Sequence, residues 1–169
     1  MLTTLYSLII SPIQFTTSFP PKIYKRTSLL CVCVAGLALL QGSSLPLFLP
    51  LSIMSIISIL ILSGLYAMIV DFFAQFWGCK GQSVNLFIGI NATLIGFGLF
   101  PLLLPLKLYF SSFLVTSLQF SIMLGMLYWQ YRLICYLYKV PKLKGFLLFL
   151  SPYIINLGLF ILMLFITLI

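Results

Sequence analysis

A chain of 169 residues that is 63% hydrophobic and 6% charged has too little polar surface to coat a globule in water, where a soluble domain carries about 25% charged residues. Nine Lys and Arg stand against a single acidic residue, with no His and a net charge of +8. That set leaves no imidazole and no carboxylate pair for ordinary acid–base catalysis. Its cations fall in short gaps between apolar runs, which is not the clustered, water-facing footprint of a nucleic-acid binder.

Residues 1–26 include "LYSLIISPIQFTTSFPPKIYKR", interrupted by Pro12, Pro20 and Pro21. This stretch is too short and too broken to span, and it reads as a cytosolic or interfacial segment with Lys22, Lys25 and Arg26 near lipid phosphates. No cation precedes its first apolar stretch, so it does not read as a removable signal.

Residues 27–169 hold five apolar runs, at about 28–44, 51–70, 84–106, 110–131 and 146–169, each near the roughly 20 residues that a spanning helix needs. Backbone groups in hydrocarbon must bond internally, and runs this long lack the alternation of barrel strands. The expected fold is all-α, a polytopic bundle of five transmembrane helices. Pro50 suits the opening turn of the second helix. Pro101, Pro105 and Pro152 are expected to kink helices or mark their ends.

Charge sets the orientation. With five spans and the N-terminus inside, Lys22, Lys25, Arg26, Lys80, Arg132, Lys139, Lys142 and Lys144 share the inner side and only Lys107 lies outside. Dropping the first span erases that bias, whereas cytosolic loops collect Lys and Arg. The reading is therefore N-terminus cytosolic and C-terminus outside, in the cell membrane. Tyr128, Trp129, Tyr131, Tyr136 and Tyr138 around Arg132, and Trp77 after the second run, suit the headgroup level.

The lone acid, Asp71, then lies where the second helix meets the cytosolic interface. Three readings stand: an ion pair with Arg132 at the inner end of the fourth helix, a pair with Lys80 across the turn, or a hydrated carboxylate. In the turn "GCKGQS", Gly78 and Gly81 can take positive φ and Ser83 can cap the third helix; the spacing is not that of a phosphate loop. Ser52, Ser55, Ser58, Ser63 and Gly64, with Gly89, Gly96, Gly98 and Gly125, read as small packing residues. Asn91, Gln119 and Asn156 inside the spans are expected as cross-helix polar contacts, with a substrate path as the rival. Cys31, Cys33, Cys79 and Cys135 lack metal spacing and read as apolar fillers. No metal or cofactor is expected.

The segment "LYSLIISPIQFTTSF" with Pro12 and Phe15, the turn of Gly78, Lys80 and Gly81 followed by a helix with Pro101, and Trp129 before a basic loop together resemble the bacterial branch of the Yip-one domain family (Ypt-interacting proteins). Cys79 stands where that family often has a second glycine. The resemblance implies a five-helix integral membrane protein of undefined biochemical activity, and the absence of His and of a second carboxylate reads as non-enzymatic. The function expected is a membrane-organising or partner-binding bundle in contact with anionic headgroups, another membrane protein or a second copy; the alternative is a small permease or a transporter subunit.

Overall fold

Apolar runs without polar breaks have one way to satisfy their backbone in hydrocarbon, and the chain takes it. A computed structural model describes residues 21–38, 45–103 and 105–168, and these are helical apart from three short connections at 77–82, 109–111 and 139–141. The helices are α1 (Pro21–Ala38), α2 (Leu45–Phe76), α3 (Ser83–Thr93), α4 (Phe100–Leu103), α5 (Ser112–Tyr138) and α6 (Lys142–Leu168), with 3-10 segments at Leu94–Leu99 and Pro105–Leu108.

Among the described residues, four stretches are long and apolar enough to cross a membrane: Pro50–Phe76, Ser83–Leu103, Ser112–Tyr138 and Lys142–Ile166. The expected first span differs. Its helix, α1, has 18 residues, about 27 Å at 1.5 Å per residue, and begins at Pro21 so that Lys22, Lys25 and Arg26 belong to it. The run expected over 28–44 is helical to Ala38, and its remainder, like residues 1–20, lies outside the described residues.

Other helices overrun their expected ends. Pro50 sits inside α2 instead of opening it, α2 continues past Asp71 to Phe76, and α5 continues past Tyr131 to Tyr138. Amphipathic aromatic residues extend a helix through the headgroup layer as readily as they end it, so apolarity alone places these ends too early.

The prolines show how broken backbone bonding is repaired. Pro152 lies inside α6, where its missing N–H deprives the Leu148 carbonyl of its usual partner. The Ser151 hydroxyl donates to that carbonyl at 2.7 Å, and the Tyr66 hydroxyl donates to the next one, Phe149, at 3.1 Å. Before Pro101 the chain tightens to 3-10 geometry, and the Phe100 N–H takes the Phe97 carbonyl. The stretch Ser83–Leu103 is thus helical throughout but passes from α to 3-10 geometry and back.

Neighbour contacts close α2, α3, α5 and α6 into a ring, each packing on the next and α6 on α2, while α1 lies against α2, α3 and the first 3-10 segment. Gly36 of α1 meets Ile56, and Gly98 meets Val34, so the C-terminal half of α1 lies far from Asp71. Ile56 is about 22 Å along α2 from Asp71, and Lys25 is about 16 Å back along α1 from Gly36. The start of α1 therefore reaches the Asp71 end of the bundle. That end also carries the α2–α3 turn with Lys80, the α5–α6 turn with Lys139, and Lys142, Lys144 and Arg132. Lys107 belongs to the opposite end.

A large buried apolar cluster lies on the basic side and includes Ala67, Val70, Ala74, Leu86, Ile90, Leu133, Ile134 and Leu148. Ala67 and Ala74 let α3 and α6 approach α2 closely. The serine row does not stay on one face: Ser52 and Ser63 are buried but Ser58 is exposed, because a three-residue step falls short of a turn by about 60° each time. Gly96 packs against Met126, whereas Gly125, expected as a packing residue, has nothing near it. Outward apolar side chains such as Leu62 (66% exposed) and Phe165 (65%) suit lipid and would be costly in water.

Candidate functional site

Asp71 is 5% exposed and accepts three hydrogen bonds from three parts of the chain. Oδ1 receives the Tyr138 hydroxyl at 2.6 Å and the Gln82 backbone N–H at 2.6 Å; Oδ2 receives Gln75 Nε2 at 2.7 Å. Gln82 opens α3 and its own side chain does no capping. The carboxylate of one helix therefore caps the next, with its negative charge at the positive end of α3. Ser83, expected as the cap, is the first helical residue instead. Gly78 has φ of 79° as the turn expected, but Gly81 does not. What Gly81 supplies is room: a Cβ there would lie 2.9 Å from Gln75 Nε2 and 3.4 Å from Asp71 Oδ2.

The ion pair with Arg132 is not formed, and neither is one with Lys80, among the described residues. Arg132 and Tyr138 lie about 120° apart around α5, and it is Tyr138 that faces Asp71. Arg132 is exposed and lines a groove towards α6 with Tyr128, Tyr131 and Lys142. Lys25, Arg26, Lys80, Lys139, Lys142 and Lys144 are exposed as well; of Lys22 only its place in α1 is described. A cation would have to surrender its hydration to join the clamp, whereas a tyrosine brings an apolar ring and one donor.

Asn91 is 1% exposed and its Oδ1 is buried with no partner. Gln119 is half-buried and Asn156 exposed, and neither makes a cross-helix hydrogen bond among the described residues. The amide that does bond across helices is Gln130, whose Nε2 donates to Thr93 Oγ1 at 3.2 Å while Thr93 donates to the Ile90 carbonyl at 2.7 Å. Gln130 also borders a cavity of about 230 Å³ with Ser63, Tyr66 and Tyr153. All four cysteines are free thiols, and no cluster of potential metal ligands occurs among the described residues.

Asp71 and Gln75 are spaced i, i+4, so their contact was readable in sequence. Tyr138 was hidden by the early end assigned to the fourth span, and Gln82 acts through its backbone, which no side-chain pattern announces. Comparison of the chain with family models, with curated proteins and with solved structures gives no match.

Proposed function

We propose that this chain is a non-catalytic protein of the cell membrane with five spans, its basic end and N-terminus cytosolic, that organises the membrane or binds a partner at that basic face. Two terms support it. The cations collect at one end of the ring, where the positive-inside rule places the cytosol. The observation that carries the reading is that the chain's one side-chain carboxylate is held by Tyr138, Gln82 and Gln75. A buried acid with its oxygens so occupied joins three helices and fastens them to one another. The short motifs that resemble those of the Yip-one domain family agree with this class of protein.

Three observations favour a second reading, a small permease. The 3-10 stretch within Ser83–Leu103, the unpartnered Asn91 oxygen and the open pocket at Gln130 and Tyr66 put polar groups between the helices, where transporters commonly place their sites. Reconstitution into liposomes separates the two. A scaffold leaves the release of trapped amino acids, sugars and ions at the level of empty liposomes. Release that is above that level and is lost in Q130A would replace the scaffold reading with the permease.

A further inference from the structure

The groove between α5 and α6 is charged at one end and hydrocarbon at the other. Its outer part, about 390 Å³, is lined by Tyr128, Tyr131, Arg132, Cys135, Tyr136 and Lys142. Its inner part, about 620 Å³, shares Tyr128, Tyr131 and Lys142 and continues between Leu127, Leu143, Phe146 and Phe149. Lys142 opens α6, and Phe149 lies about 10 Å further in; Leu127 is about 8 Å deeper along α5 than Arg132. The cations therefore sit at the rim and the apolar walls run towards the middle of the membrane.

Neither cation has an acidic partner, since the chain has one acidic side chain and its oxygens are taken up by Tyr138, Gln82 and Gln75. We propose that the groove binds one anionic phospholipid, its phosphate between the Arg132 guanidinium and the Lys142 ammonium and an acyl chain along Leu127, Phe146 and Phe149. The guanidinium fork matches phosphate oxygens. The Tyr131 hydroxyl donates to the Lys142 carbonyl at 3.3 Å, which ties the start of α6 to α5 and holds the rim together. The Tyr128 and Tyr136 hydroxyls have no bond among the described residues and add donors at headgroup depth.

Charge complementarity selects this occupant. A second copy of the chain has no exposed acidic side chain to offer, and a soluble anion would leave the apolar walls uncovered. The proposal rests on the reading that the basic end meets the cytosolic leaflet, where anionic lipid is concentrated. Its test is carried out in detergent and does not depend on sidedness or on solute flux, so the two readings fail separately.

The full chain, purified in detergent, is titrated with phosphatidylglycerol, with phosphatidylcholine and with inorganic phosphate, and bound lipid is counted by native mass spectrometry. One phosphatidylglycerol is expected to be retained in preference to phosphatidylcholine. R132Q and K142Q should each weaken its retention by about fivefold or more, K80Q should not, and L143W should weaken it by obstructing the inner groove with charge unchanged. Arg132, Lys142 and Leu143 are exposed, and unchanged helical circular dichroism in each variant separates lost binding from lost fold. Equal retention of the two lipids, equal loss in K80Q, or displacement by phosphate alone with L143W unaffected would overturn the proposal.

Discussion

Asp71 collects donors that come from α2, from the first residue of α3's cap and from the end of α5, so its side chain is where three spans are fastened. Each bond to a buried charged acceptor contributes about 1.5–3 kcal/mol. Y138F is therefore expected to lower stability by about that amount, read as a lower midpoint of thermal unfolding in detergent micelles. D71N should lower it as well, because the bonds from Tyr138 and Gln82 lose their charged acceptor and an Nδ2 donor replaces Oδ2 opposite Gln75 Nε2. An unchanged midpoint in Y138F would contradict the clamp. At this scale the sequence showed where a special residue stood, and the i, i+4 glutamine beside it was legible. The identity of the remaining partners was not, because it depended on where α5 stops and on a backbone N–H.

Helix existence was plain from apolar run length, and helix ends were not, since Trp and Tyr at the headgroup level extend a helix without changing the pattern. Proline behaviour needed the three-dimensional neighbours as well. Pro152 neither ends α6 nor leaves the Leu148 carbonyl bare, because the preceding serine turns back onto it. S151A should uncover that carbonyl and cost about 1–3 kcal/mol, whereas S151T, which keeps the hydroxyl, should recover most of the loss. Thermal unfolding of the pair checks this; a neutral S151A would show that the hydroxyl is not what repairs the break. The third span's retreat into 3-10 geometry before Pro101 is the same problem solved by the backbone alone.

Across the whole molecule the chain is a two-ended object. The ring of α2, α3, α5 and α6 and the antiparallel placement of α1 bring Lys25, Arg26, Lys80, Arg132, Lys139, Lys142 and Lys144 to one end and leave Lys107 at the other. This division was readable in the sequence because it depends only on the alternation of long runs and short connections, which survives errors of several residues at each helix end. The amide contacts were less legible: Gln130 bonds to Thr93, whereas Asn156 is exposed. Composition marks an amide as polar but not which way its helix turns.

The most direct test of this arrangement is side-specific labelling of single cysteines, K80C, K107C and K142C, in a chain whose Cys31, Cys33, Cys79 and Cys135 are replaced by serine. With a membrane-impermeant maleimide on intact cells, K107C is expected to react at once, and K80C and K142C only after the membrane is opened. Labelling of K107C and K142C from the same side would contradict the account.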